Sequence, residues 1–146
     1  MAESFWLFAY GSLIWRPNLP FQRRLRGFLD GYERRFWQLS PDHRGDADNP
    51  GRVVTLCPVE GGRCWGVAYE VSETDASTVL EQLDQREAAG YVRVPVTFHA
   101  KDRALSGALP AVVYLAGPDN ENYRPDTPLS EIARTVRTSV GPSGHN

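Results

Sequence analysis

Apolar positions in this chain recur with two different periods. Phe5 to Tyr10 is almost continuously apolar and reads as a buried first strand. Pro17 and Pro20 then force a loop. Gly27 to Leu39 mixes aromatic and charged residues in a strand-like way, and "SPDHRGDADNPG", Ser40 to Gly51, has the composition of a loop. Val53 to Cys57 and Cys64 to Tyr69 predict two strands joined through Glu60 to Gly62. In "YVRVPVTF" the alternation puts Val92, Val94, Val96 and Phe98 on one face, with Pro95 marking an edge or bulged strand. Ala111 to Leu115 is a further short strand.

Two segments follow the helical period instead. Ser72 caps the first, with Asp75 three residues on as a weak capping box, and Gly90 ends it. The second runs from Leu129 to Val140 and stops at "GPSGHN". Five or six strands joined by short turns, with two helices, predict an α+β fold with antiparallel pairing. Closure into a small β-barrel with packed helices protects the sheet edges. At 146 residues without internal repeats, one domain over 1–146 is expected.

Composition changes this picture little. A net charge of −2 gives the whole molecule no strong pull on nucleic acid or anionic lipid. Only Lys101 among the 16 basic residues is a lysine, which favours bidentate carboxylate recognition. Cys57 and Cys64, with six residues between them, match neither a zinc pair nor a redox pair. They face each other only if a hairpin turn lies between them; the preferred reading is two buried thiols. No basic-then-apolar leader and no long apolar run is present, so a soluble, cytoplasmic protein with no membrane partner is expected.

The first helix carries an anomaly. Ala76, Val79, Leu80 and Leu83 define its core face. Glu87 falls about 20° from both Leu80 and Ala76, in the middle of that stripe, whereas Glu81 points about 100° away from Leu80. A carboxylate aimed at a core costs several kcal/mol if ionised and unpaired. Three readings fit. The last turn frays and Glu87 reaches water; it pairs with Arg86 or Arg93; or its pKa is raised and it shuttles a proton.

Six segments now stand in order: "YGSLIW" (Tyr10 to Trp15), "GYERRFWQLSPDHRG", "PGRVVTL", "WGVAYEV", "LDQREAAGY" (Leu83 to Tyr91) and "GPSGHN". Together they resemble the ChaC family of glutathione-specific γ-glutamylcyclotransferases, over essentially the whole chain. The resemblance implies a γ-glutamylcyclotransferase-like barrel that cleaves glutathione to 5-oxoproline and cysteinylglycine without cofactor or metal. It implies that the Y-G-S-L turn binds the γ-glutamyl group. It also implies that the Glu of R-E-x-x-G-Y is the acid/base, a motif falling on Arg86, Glu87, Gly90 and Tyr91. The acid singled out by helix geometry is therefore the family's catalytic position. Two departures are Leu39 where members often have Gly, and Ala88 where they often have Lys. The resemblance implies a further helix after the P-S-G-x-N element; a chain ending at Asn146 is either a natural short form or a fragment.

The expected binding set is Tyr10, Gly11, Ser12, Leu13, Ile14 and Trp15. Gly11 lets the backbone turn, and the N–H groups of Gly11, Ser12 and Leu13 form a small anion nest for the substrate's α-carboxylate. The bland alternative is a strand-end turn. Ser12 is not a nucleophile, because "YGSLIW" lacks the second Gly of a nucleophile elbow. Tyr114 is either a substrate contact or a core tyrosine with some polar partner. Arg44 and Arg52 flank the polar loop, as solvated side chains or as partners for glutathione's glycyl carboxylate. Trp6, Trp15, Trp37 and Trp65 are expected in the core.

Rival functions fare less well. His43, His99 and His145 lie far apart, with no partner at metal-ligand spacing. No glycine-rich loop opens a helix, so phosphate binding is not indicated. An RNA-binding module would use Arg23, Arg24, Arg26, Arg34 and Arg35 among Phe28, Tyr32, Phe36 and Trp37, but acidic residues nearly balance them. Cyclotransfer on other γ-glutamyl amines, and a non-catalytic regulatory module on the same scaffold, remain as alternatives.

Overall fold

The structure is a computed structural model that describes residues 3–88, 90–101 and 107–146, with the side chains of 86–88 outside the description. The elements run β1 (Phe5–Ala9), a 3₁₀ turn (Ser12–Ile14), β2 (Arg23–Ser40), β3 (Gly51–Val71), α1 (Glu73–Ala88), β4 (Tyr91–Ala100), β5 (Ala108–Ala116), α2 (Leu129–Thr138), β6 (Val140–Gly141) and β7 (Gly144–His145). The first five strands close into a barrel in the order β1-β3-β2-β4-β5, as the α+β expectation requires. β1 pairs antiparallel with β3, from Phe5↔Val71 to Ala9↔Val67. The ring closes on the other side of β1 through a parallel pairing, Leu7 with Val112 of β5, a departure from the antiparallel pairing expected.

Contacts divide the chain into two compact units. One is Met1–Glu33 with Leu56–Leu115, and the other is Arg34–Thr55 with Ala116–Asn146. The first unit holds the barrel core of Phe8, Leu29, Leu56, Cys64, Ala68, Phe98, Ala111, Val113 and Leu115. The alternation of β4 produces its share. Phe98 is fully buried and Val94 and Val96 pack beside it, while Arg93, Pro95 and Thr97 face out. Val92, at the strand's start, is exposed. A second cluster joins Leu7, Val71 and Tyr114 of the strands to Val79 and Leu83 of α1. Ala76, Val79 and Leu83 are the buried stripe of that helix, and Glu81 is exposed, as its period predicts. The N–H of Asp75 bonds the Ser72 hydroxyl at 3.3 Å, the cap expected there.

Three expectations are corrected. The segment expected as a hairpin through Glu60–Gly62 is one continuous strand, β3. Gly61 has φ +75°, a left-handed conformation that glycine takes without strain, inside the strand rather than in a turn. Of the two readings of Pro95, edge or bulged strand, the edge is excluded, since β4 lies between β2 and β5 in the closed ring. Trp15 and Trp65 are exposed rather than core, and Trp6 and Trp37 are only half-buried. Trp65 points out because Cys64 before it points in; its ring packs on Phe28 at 4.9 Å on the outer face. Cys57 and Cys64 are both buried, and neither is in a disulfide.

The second unit is small and held by polar contacts. Its β6–β7 hairpin sits in the "GPSGHN" element. The Asn146 side chain clamps the Arg52 backbone, accepting from its N–H at 2.6 Å and donating to its carbonyl at 2.8 Å. Arg44 donates to the carbonyls of Ser143 and His145 at 3.0 and 3.1 Å. α2 ends at Thr138, two residues earlier than its expected limit, because Ser139 turns extended and donates its hydroxyl to the Pro50 carbonyl. Among the described residues, no helix is long and apolar enough to cross a membrane.

Phe98 fills the barrel interior without solvent exposure and rests against Phe8 at 5.8 Å between ring centroids. Phe98→Ala should therefore lower the unfolding free energy by about 3–5 kcal/mol. Urea unfolding followed by tryptophan fluorescence checks it; a loss below about 1 kcal/mol would mean the core refills.

Candidate active site

The site is built where β1 leaves the barrel. Gly66 of β3 lets the chain come close there: a Cβ on it would stand 2.3 Å from the Ala9 carbonyl oxygen. After Tyr10 and Gly11 the backbone folds into the 3₁₀ turn. The N–H of Ile14 bonds the Gly11 carbonyl at 2.9 Å, and that of Arg16 bonds the Ser12 carbonyl at 2.8 Å. The N–H groups of Gly11, Ser12 and Leu13 come before the first bond made inside the turn and have no acceptor among the described residues. Ser12 is exposed, Leu13 packs beneath it, and Trp15 stands 66% exposed at the turn's far end.

Three tyrosine hydroxyls organise this corner. Tyr69 is buried, and its hydroxyl lies 2.8 Å from both the Leu13 and Ile14 carbonyls. A single O–H shared between two acceptors holds the turn down on β3. Tyr10 donates to the backbone carbonyl of Tyr114 at 2.7 Å, tying the turn's entrance to β5. Tyr114, itself buried, donates to the Asp84 carboxylate on α1 at 3.4 Å. Leu13, Tyr114 and Leu83 share one apolar cluster beneath these bonds. The structure thus brings Tyr10, Gly11, Ser12, Leu13 and Ile14 together with Tyr114 and the later turns of α1.

Glu87 is one helical turn beyond Leu83 on the same helix; its side chain lies outside the described residues. Arg93, one of its two suggested ion partners, stands 3.8 Å from Asp84. The side chain of Arg86, the other, also lies outside the description. Tyr114 finds the polar partner that a buried tyrosine needs. Arg44 and Arg52 belong to the second unit. Arg52 is not a solvated loop side chain but 5% exposed. Burial pushes its pKa down; Glu131 opposes that shift and Arg124 adds to it.

Tyr69 is the residue that sequence reasoning missed. The signal was present in "WGVAYEV": strand alternation puts Val67, Tyr69 and Val71 on one face, all three buried. A tyrosine on an apolar face implies a fixed partner for its hydroxyl. Which carbonyls it finds depends on β1 being next to β3, which local pattern does not reveal.

The family model described as ChaC-like protein matches residues 5–146. The chain belongs to the ChaC family. This ChaC-like chain is 43% identical, over 99% of its length, to human glutathione-specific γ-glutamylcyclotransferase 1. It is 37% identical over 98% to the glutathione-specific γ-glutamylcyclotransferase of Schizosaccharomyces pombe. It spans 65% of the human relative and 77% of the fission-yeast one. A crystal structure of a yeast γ-glutamyl cyclotransferase specific to glutathione superposes on it with a TM-score of 0.90, at 28% identity, covering 99% of this chain and 82% of that one. The closed barrel with packed helices is therefore the family's fold.

The Tyr69 bond gives a direct test of how the corner is held. Tyr69→Phe should cost about 1–2 kcal/mol, since two carbonyls lose one donor. In hydrogen–deuterium exchange, the peptide covering residues 11–16 should exchange faster while β4 is unchanged. Unaltered exchange in that peptide would show that the turn holds itself.

Proposed function

We propose that this protein is a cofactor-free γ-glutamylcyclotransferase acting on glutathione. The observation that carries the reading is its 43% identity, across nearly the whole chain, to a relative named for that activity. The Y-G-S-L turn, pinned beside Tyr114 and α1, supports it. In this reading Glu87 is the acid/base and Tyr10, Gly11, Ser12, Leu13, Ile14, Trp15 and Tyr114 form the substrate-binding corner. The location is cytoplasmic, where two cysteines outside any disulfide are the normal state.

The chemistry is an intramolecular aminolysis. The α-amine of the γ-glutamyl group attacks its own γ-carbonyl, a five-membered lactam closes, and the amide bond to cysteinylglycine breaks. The substrate supplies its own nucleophile, so the protein has three tasks. It must take a proton from the α-ammonium, which Glu87 does as a carboxylate. It must curl the chain until nitrogen approaches carbonyl carbon at about 3–3.5 Å. It must then protonate the departing amine, which Glu87 does with the proton it has gained. The free N–H groups of Gly11, Ser12 and Leu13 hold the α-carboxylate and so fix which end of the substrate curls.

Glu87→Gln should leave the fold intact and lower turnover by about 100-fold or more. The assay incubates the protein with glutathione, oxidised glutathione and free γ-glutamyl amino acids, and measures 5-oxoproline by mass spectrometry. The last substrates matter because an Arabidopsis thaliana relative, 42% identical, carries the broader name γ-glutamylcyclotransferase 2-3. Lactam release by Glu87→Gln at near wild-type rate would overturn the assignment of the acid.

A further inference from the structure

The second unit contains a cleft of about 400 Å³ that the proposed reaction does not use. Its lining includes Asn49, Arg52, Arg124, Thr127, Glu131 and Thr135. Arg52 is the unusual member. It is 5% exposed, yet no carboxylate among the described residues stands within ion-pair distance. Its Nη1 makes two long bonds, 3.4 Å to the Phe36 carbonyl and 3.3 Å to the Thr127 hydroxyl. Its Nε has no acceptor among the described residues. A buried guanidinium held this weakly is costly, because the attraction of Glu131 is the smaller effect and desolvation by burial outweighs it. The cost is removed if an anion completes the site.

The rest of the lining says which anion. Arg124 adds a second positive charge, with its own Nη1 fixed by the carbonyls of Glu121 and Tyr123. The N-terminus of α2 borders the cleft through Pro128 and Glu131, and no side chain caps it. Both features favour negative charge. Glu131 adds a negative charge of its own. Two cations and one carboxylate suit a ligand that carries one carboxylate and one ammonium better than a multiply charged phosphate. The amide of Asn49 and the hydroxyl of Thr135 supply neutral hydrogen-bonding groups for the body of such a molecule.

We infer that this cleft binds a small zwitterion, an amino acid or dipeptide, with its carboxylate on Arg52 and Arg124 and its ammonium on Glu131. The site is made within the second unit and does not depend on the cyclotransferase reading. Binding is therefore measured without turnover.

Calorimetric titration with glycylglycine, acetate and inorganic phosphate at fixed ionic strength tests it. Glycylglycine should saturate one site and bind more tightly than acetate or phosphate. Arg52→Met should weaken glycylglycine by about tenfold or more, as loss of a charge-assisted bond requires. Glu131→Gln should separate the two charges: glycylglycine weakens about threefold or more while acetate tightens. Should Arg52→Met fail to fold, Arg124→Gln makes the same comparison. No saturable binding of glycylglycine, or equal binding by the Arg variant and wild type, overturns the site. Preference for phosphate, or tightening of both organic ligands in Glu131→Gln, overturns the zwitterion assignment.

Discussion

β1 is gripped from both sides, and the position of everything in the corner follows from that. Its five residues pair antiparallel with β3, and Leu7 pairs in parallel with Val112 of β5. A sheet that ends in free edges would leave this strand peripheral. A closed ring makes it a shared wall, so the residues just past its end have β3 on one side and β5 on the other. That is why Tyr10 reaches the Tyr114 carbonyl while Leu13 and Ile14 reach the Tyr69 hydroxyl. The backbone there is fixed from two directions by strands that are themselves packed through the core.

Such a corner suits a reaction in which the protein forms no covalent bond. In the proposed aminolysis the gain comes from orientation and from one proton moved out and back. Orientation is best supplied by backbone groups, because they have no rotamers to lose. The turn offers N–H groups fixed on a barrel rim, where a flexible loop would pay ordering entropy on each binding event. The tyrosine hydroxyls face the protein's own carbonyls and carboxylate, which makes them positioning groups for the corner.

Local chemistry made part of this legible beforehand. Ser72 with Asp75 marks a helix start whatever lies around it, and Ala76, Val79 and Leu83 carry the helix period in their spacing. The Gly61 region shows the opposite case. A glycine pair between two apolar runs serves equally as a hairpin turn or inside one continuous strand, and only the neighbouring β2 decides. Pro95 was ambiguous for the same reason: a lone strand cannot say whether the ring closes over it. Tyr69 and the Leu13 carbonyl are 56 positions apart, so their bond is a product of topology. The six motifs located the corner because they carry a resemblance, which needs no knowledge of those long-range contacts.

Two arginines show how unevenly charge is used. Arg23 lies exposed on β2 and bonds Glu70 of β3 through both Nε and Nη2, at 3.0 and 2.7 Å. The guanidinium holds the Glu70 carboxyl below the usual carboxylate range. Water screens that pair, so its geometry adds little to stability. Arg52 has the reverse arrangement, with a buried charge and two long neutral bonds. A fold that can place a bidentate carboxylate on a surface arginine has no chemical obstacle to placing one on a buried arginine. Selection for stability alone would neutralise Arg52 or replace it with an apolar side chain of similar volume. An incompletely bonded cation that opens on a polar cleft is better explained by a ligand than by packing.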